Sequence, residues 1–301
     1  MNTDLLMLAT VDGLSYAGLL FLVSLGLTLI CGVFGVINVA HGSLYAIGGY
    51  SAASVVTWLM ARQPSTLLLV ASLFVVALVV GGLLGAGLRV LVLRHFQDRD
   101  PILQLLVTFA VFMVLEDVQR MVWGATPMTA SEVTSRLGTS EILGVNFMNY
   151  QLYLVPGVAL AAYALLQYLL RYSIAGKQIV AVIHHREVAT ALGIDAARVG
   201  TLTFALAGAL GALGGALSVP TTSFVPGLGA EMIVTSFAVI ATAGLGQVTG
   251  ALLAAVLIGV SRSIAVYTVP ELEVVMPYLM MVLVLLIRPH GLFSVAAARK
   301  I

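Results

Sequence analysis

Two polar side chains, Asn38 and His41, interrupt an apolar stretch that is otherwise long enough to cross a membrane. They lie in the segment GVFGVINVAHGSLYAIGGY, which is rich in glycine. An amide and an imidazole are costly in hydrocarbon unless they bind backbone groups or line a polar path. The pattern therefore predicts a break between helices. There, Asn38 and His41 either face a transport path or satisfy free backbone carbonyls, and the two roles are compatible.

A second polar set, Glu116, Asp117 and Arg120, lies in the fourth apolar run. Their i,i+3 and i,i+4 spacing places them on one helical face, where the opposite charges neutralise each other. The set is either a structural ion pair near the membrane interface or part of an outer mouth. Glu116 therefore joins Asn38 and His41 as a candidate for the substrate path.

Two further charged residues fall at or within apolar runs. Arg262 needs an acidic partner, for which Glu116 and the acids of the outer loops are candidates. Glu231 begins a short apolar run, where the positive end of a helix dipole favours a carboxylate. The chain has no Gly-x-x-x-x-Gly-Lys-[Ser/Thr] phosphate loop, so another chain must bind any ATP that drives this protein. We predict no catalytic residues, no metal site and no cofactor of its own.

The composition shows which elements must position these residues. Of 301 residues, 60% are hydrophobic and 9% charged, with a mean hydropathy of +1.09, whereas a soluble protein has about 25% charged residues. Most of the surface must therefore face hydrocarbon. We predict an all-α, polytopic membrane protein with a single transmembrane domain over residues 1–301, in contact with lipid. The net charge of +1 gives no indication of nucleic-acid binding, and the N-terminus lacks the basic region of a cleavable signal peptide.

Roughly 20 mostly apolar residues are needed to cross the hydrocarbon core. This criterion predicts about eight or nine spans, with breaks near Asn38 and Gly244. The candidate spans are Leu14–Val36, Ser43–Met60, Leu67–Leu93, Ile102–Trp123, Gln151–Leu170, Val199–Val219, Met232–Leu245, Gly250–Tyr267 and Val275–Ile287.

The basic residues predict the orientation. Most of the 14 Lys and Arg residues fall in LRHFQDRD, in the segment 171–198 and in the C-terminal tail. That side is predicted to be cytoplasmic. The N-terminus and the loops near 124–150, 220–230 and 268–274 are predicted to face outward.

The segment 171–198 is the longest hydrophilic stretch on the predicted cytoplasmic side. Apolar residues from Ile179 to Leu192 recur on one helical face, which predicts a short amphipathic helix. Gly193 is expected to end it and Asp195 to cap the next membrane helix. Such a helix lies free on the surface, rests on the membrane, or docks into a groove of a cytoplasmic protein.

Several segments together resemble one family. GLTLICGVFGVINVAHGSLYAIGGY is similar to the N-terminal signature of the branched-chain amino-acid ABC importer permeases, the LivH-type inner-membrane subunits. GKQIVAVIHHREVATALGIDAARVGTLTFALAGALGALGGAL is similar to that family's central cytoplasmic loop and following helix. AGLGQVTGALLAAVLIG and RPHGLF resemble its C-terminal half and closing motif. The resemblance covers most of the chain, in the family's order.

The resemblance implies a five-part importer in the bacterial inner membrane. A periplasmic binding protein delivers the substrate, this chain and a second, related permease form the path, and two ABC ATPases bind ATP and magnesium. The amphipathic segment then resembles the family's coupling helix, which docks to an ATPase. Its coupling candidates are Ile183, Arg186, Glu187, Leu192 and Gly193.

We therefore expect a permease for branched-chain or other apolar amino acids that works by alternating access and is not itself an enzyme. Within the family, urea, short amides and aromatic acids are alternative substrates, and Arg262 stands where relatives often carry an acidic or neutral residue. An ion- or proton-coupled carrier or channel is the alternative outside the family. It would need several carboxylates at mid-membrane, and only Glu116 and Asp117 approach that. A membrane enzyme would need a catalytic cluster, and His41 stands nearly alone.

Overall fold

The computed structural model describes residues 3–35, 37–96 and 99–293, most of which are helical. The predicted all-α class is confirmed. Val36, the predicted end of the first span, and the basic C-terminal tail lie outside the described residues. The helices are α1 (Thr3–Phe34), α2 (His41–Met60), α3 (Thr66–Val76), α4 (Gly82–Leu91), α5 (Pro101–Trp123), α6 (Glu132–Leu137), α7 (Val155–Tyr172), α8 (Ile174–His184), α9 (Arg186–Ala191), α10 (Ala196–Ser218), α11 (Leu228–Ala243), α12 (Val248–Thr268) and α13 (Met276–Ile287).

Shorter elements complete the chain. A π-helical turn, Ala77–Gly81, joins α3 to α4, and a second one, Tyr150–Leu154, leads into α7. Short 3-10 turns cover Leu93–His95 and Pro270–Leu272. The strands β1 (Thr139–Ile142) and β2 (Val145–Met148) form an antiparallel hairpin between α6 and α7.

Each predicted span corresponds to a continuous helical segment of the described chain. Six segments are long and apolar enough to cross a membrane: Asp4–Phe34, Thr66–His95, Pro101–Trp123, Tyr150–Tyr172, Ala196–Ser218 and Val248–Thr268. Of the others, α2 has 20 residues, α11 has 16 and α13 has 12. The first helix also begins at Thr3 rather than at the predicted Leu14.

Helix α10 lies at the centre of the bundle, with α1, α2 and α4 packed against it. Small residues make this contact close: a Cβ added to Gly208 would lie 2.9 Å from the Cα of Gly85. Backbones in a membrane approach each other in this way because no hydrophobic effect drives helix association there. The core of the protein is therefore built around α10.

The loops after α5 and after α10 meet at one end of the bundle. Met128 and Phe224 form an isolated antiparallel bridge, and the amide of Ala130 donates to the carbonyl of Val219 at 3.1 Å. These contacts place the loops near 124–150 and 220–230 at the same end, as the distribution of basic residues predicts. The assignment of that end to the outside stays a prediction.

The segment 171–198, which is predicted to be cytoplasmic, differs from its prediction in one respect. The expected single amphipathic helix is two helices, α8 and α9, because the backbone leaves the helical conformation at His185 (φ −151°, ψ 86°). Residues before and after His185 therefore do not share one apolar stripe. Ile179 and Val182 of α8 and Ala189 of α9 are buried in the core, whereas Leu192 is exposed.

Candidate functional site

The break predicted at Asn38 and His41 is a non-helical segment, residues 35–40, between α1 and α2. Gly35 follows the last residue of α1 with φ +64°, a left-handed conformation that glycine adopts at no steric cost. The chain then runs back along α1, because His41 contacts Val23 and Gly26 rather than the end of the helix. The stretch from Gly26 to Phe34 corresponds to about 12 Å of helix. The segment 35–40 therefore re-enters the bundle, and its backbone together with the His41 side chain covers that distance.

His41 is fully buried where α1, α2 and α10 meet. Its Nε2 donates to the carbonyl oxygen of Val23 at 3.0 Å. A Cβ on Gly26 or on Gly211 would lie 2.9 Å from the Cε1 atom of the imidazole, so glycine at both positions provides the space for the ring. The contact with Val23 fits the structural role predicted for His41. Nδ1 makes no hydrogen bond with the described residues and stays available for another partner.

Asn38 is also fully buried, and neither atom of its amide forms a hydrogen bond within the described part of the chain. An unpaired buried polar group costs about 1–3 kcal/mol. The amide lines a small cavity together with Arg89, Gln104 and Thr108. The volume of this cavity, about 20 Å³, suffices for about one water molecule. A polar side chain retained at this cost marks a position where a further partner is expected.

Helix α5 holds the re-entrant segment in place. The amide of Val39 donates to Oγ1 of Thr108 at 3.3 Å, and that hydroxyl lies 3.5 Å from the carbonyl oxygen of Ile37. Further along, the Ser43 hydroxyl donates to the carbonyl of Phe112 at 3.4 Å. The Thr108 side chain thus replaces helical hydrogen bonds that the segment lacks, and Ser43 attaches the start of α2 to the backbone of α5.

Sequence reasoning missed Arg89 as a residue of this site, because it lies just before the basic segment LRHFQDRD, which is predicted to be cytoplasmic. Its side chain is 4% exposed, and its guanidinium carbon lies 4.7 Å from the ring centre of Phe34 and 5.9 Å from that of Phe204. A Cβ on Gly200 would lie 2.9 Å from Nε of Arg89. The burial of Arg89 therefore depends on a glycine of a distant helix, which no local pattern reveals.

Glu116 does not join Asn38 and His41. It forms an ion pair with Arg120 at 2.8 Å, as the i,i+4 spacing predicts. It lies about 12 Å further along α5 than Thr108, which contacts the re-entrant segment. The structure thus brings two of the three predicted path residues together and leaves Glu116 apart from them.

Arg262 forms an ion pair with a loop acid. Its Nη2 donates to a carboxylate oxygen of Glu273, a residue of the loop before α13. The guanidinium also stacks on Tyr16, with 4.1 Å between its carbon and the ring centre. Of the two predicted kinds of partner, an acid of the loop 268–274, which is predicted to face outward, is the one found.

The coupling candidates occupy α8, α9 and the turn after them. Arg186 and Glu187 are exposed at the start of α9. Ile183 is 37% exposed and Leu192 is 78% exposed. Exposed apolar side chains beside charged residues suit contact with another protein, and this contact stays a prediction.

Gly193 ends α9, as predicted. With φ +87°, it lets its own amide donate to Thr190 and the amide of Ile194 donate to Ala189, both at 3.0 Å, which is the Schellman pattern. Asp195 then caps α10, since its Oδ1 accepts from the amides of the second and third residues after it at 3.0 and 3.1 Å. The connection from α9 to α10 is therefore short and held by these four hydrogen bonds.

Known proteins resemble the chain over nearly its whole length. The family model described as branched-chain amino acid transport system, permease component, matches residues 9–285. The high-affinity branched-chain amino acid transport system permease protein LivH of Salmonella typhimurium is 25% identical over 298 residues, covering 96% of each chain. BraD of Pseudomonas aeruginosa is 24% identical, covering 97% of this chain and 96% of BraD. The probable LivH of Methanocaldococcus jannaschii is 28% identical, covering 93% of this chain and 90% of that one.

Among solved structures, PsaBC from Streptococcus pneumoniae in complex with Fab has a similar fold. The TM-score is 0.50 at 16% identity, and the match covers 93% of this chain and 91% of the other. At this identity, the likeness concerns the fold alone.

Proposed function

Because the chain belongs to the family of permease components of branched-chain amino acid transport systems, we propose that it is one permease subunit of a binding-protein-dependent ABC importer. Its substrates are branched-chain or other apolar amino acids. The observation that carries this proposal is the re-entrant segment 35–40, which places Asn38 and His41 inside the bundle. Interrupted helices supply the polar groups of transport paths, because the backbone groups at the break are not hydrogen-bonded within a helix.

We propose that this chain works with other protein subunits and is surrounded by lipid. A second, related permease forms the path with this chain, two ABC ATPases bind ATP and magnesium, a binding protein delivers the substrate, and lipid surrounds the helices. The protein lies in the bacterial inner membrane with the N-terminus outside and the C-terminus in the cytoplasm. The exposed Ile183 and Leu192, with Arg186 and Glu187 between them, form the face that docks to an ATPase.

The connection after α9 supplies a route from the ATPase to the path. The short, hydrogen-bonded turn from Gly193 to Asp195 joins α9 directly to α10. Gly211, further along α10, packs on His41, which begins α2. A displacement of α9 on closure of the ATPases is therefore passed through α10 to the helix break. This is alternating access by small shifts of packed helices.

The carrier alternative gains no support from the geometry of its carboxylates. Glu116 is paired with Arg120, and Asp117 is exposed on α5. Urea, short amides and aromatic acids remain alternative cargoes of the same permease type. Each of these compounds is tested for competition with the uptake of radiolabelled L-leucine, which distinguishes them.

The proposal is tested by reconstitution in liposomes. The chain alone is expected neither to hydrolyse ATP nor to move L-leucine. The complex with the second permease, both ATPases and the binding protein is expected to accumulate leucine only with ATP. Leucine transport by the lone chain would show that it is an autonomous carrier and not an importer subunit.

A further inference from the structure

A second cavity, of about 120 Å³, lies one helical turn beyond His41 along α2, on the side away from Asn38. Its walls come from α1, α2, α10, α11 and α12, and Tyr45 is the residue of α2 that reaches it. The cavity is several times larger than the 10–15 Å³ or so that one water molecule needs. It therefore has room for a small metabolite between the end of α10 and the re-entrant segment.

One wall of this cavity carries a positive charge. Arg262 lines it, and its side chain is 22% exposed. The ion pair with Glu273 involves Nη2, whereas a guanidinium has five N–H donors in a planar fork. The guanidinium also stacks on the ring of Tyr16, with 4.1 Å between its carbon and the ring centre. Arg262 is thus oriented by protein contacts and still has donors for a carboxylate.

Another wall carries a negative charge. Glu231, in the first turn of α11, lines the same cavity. Its carboxylate forms no ion pair with any described residue. A favourable interaction with the helix dipole, the role that the sequence predicts for Glu231, does not require the side chain to face a cavity shared with Arg262. An ionised carboxylate accepts hydrogen bonds only, so its complement is a group rich in N–H donors, such as an ammonium.

The remaining walls include apolar side chains, among them Leu19, Leu228 and Met232. The cavity therefore offers one cation, one anion and an apolar surface within the space of one small molecule. We propose that it binds an aliphatic α-amino acid as a zwitterion, and this rests on the proposed function only in taking an amino acid as the cargo. Arg262 binds the carboxylate, Glu231 binds the ammonium, and the apolar wall contacts the side chain. Uncharged urea and amides would satisfy neither charge.

A cysteine at the rim reports on occupancy directly. Thr222 is exposed and lines the cavity. Thr222→Cys is combined with Cys31→Ser, so that the new cysteine is the reactive one. Vesicles that contain the assembled importer are then treated with a membrane-impermeant thiol reagent, which is expected to label this cysteine. L-leucine is expected to protect this cysteine. 4-Methylpentanoate, which lacks the ammonium, and 3-methylbutylamine, which lacks the carboxylate, are expected to protect it only at far higher concentration.

Charge-removing variants test the two assignments separately. Glu231→Gln and Arg262→Gln should each raise the leucine concentration for half-protection by about ten- to a hundredfold, the range of a hydrogen bond to a charged group. In Glu231→Gln, protection by 4-methylpentanoate should be unchanged. The matched control is Glu271→Gln, which removes an exposed carboxylate of the same loop but leaves both charges of the cavity and the ion pair of Arg262 with Glu273. It should keep leucine protection.

Three results would overturn the inference. One is equal loss of protection in Glu271→Gln and Arg262→Gln, since any charge removed from this region would then have the same effect as the loss of Arg262. The others are equal protection by the three compounds, and no protection at any soluble leucine concentration in an importer that takes up leucine. Failure of the proposed function itself would appear differently, as absence of leucine uptake by the complex with the unaltered chain.

Discussion

Gly211→Ala is expected to destabilise the protein by displacing His41. The added Cβ would lie 2.9 Å from both Cε1 and Nε2 of the imidazole, closer than carbon and nitrogen atoms tolerate. Overpacking of this kind costs about 1–3 kcal/mol. If the ring moves, the 3.0 Å hydrogen bond to Val23 is lost as well, at about 1 kcal/mol. The expected total is about 2–4 kcal/mol, which should lower the thermal unfolding midpoint by several degrees.

The assay is thermal unfolding of the purified chain in detergent, with Gly157→Ala as the control. Gly157 is exposed on α7, and a Cβ there would meet nothing within 4 Å. Alanine at that position should be neutral or stabilise the helix by up to about 1 kcal/mol. The double variant His41→Ala/Gly211→Ala should be more stable than the sum of the two single effects, because the methyl group then enters vacated space. Unaltered unfolding of Gly211→Ala, or strict additivity in the double variant, would refute the packing described for His41.

Two further predictions concern the segment between α8 and α10. Leu192→Ser should lower leucine uptake per ATP hydrolysed in the reconstituted complex while the midpoint of unfolding stays constant, because the side chain is 78% exposed; full coupling in this variant would remove Leu192 from the docking face. Asp195→Ala should cost about 1 kcal/mol of stability by removing the cap of α10, and Asp195→Asn should cost less. Equal unfolding temperatures for the alanine variant and the unaltered chain would contradict the capping role.

Features with local signals could be predicted from the sequence. The break at Asn38 and His41 follows from polar residues and glycines inside an apolar run, and the pair of Glu116 with Arg120 follows from i,i+4 spacing. The cap at Asp195 follows from its position just before the apolar periodicity of α10. In each case, the residues involved lie within a few positions of one another.

Features that depend on contacts between distant helices could not be predicted from the sequence. The depth at which the chain re-enters the bundle depends on the packing of His41 between glycines of α1 and α10. The cavity at Glu231 exists because α1, α10 and α12 converge on the start of α11. The change of direction at His185 separates apolar residues that periodicity alone places on one stripe. Periodicity describes one helix, whereas these arrangements require knowledge of its neighbours.

We expect the substrate path to pass the re-entrant segment, a claim that the accessibility of residue 38 tests. In the Cys31→Ser background, Asn38→Cys in an importer that still takes up leucine is treated with a membrane-impermeant thiol reagent, first without nucleotide and then with ATP trapped in the ATPases. Passage through this segment predicts labelling that changes markedly between the two states and that leucine slows. A cysteine at position 38 that stays unreactive in both states while leucine uptake continues would contradict the claim.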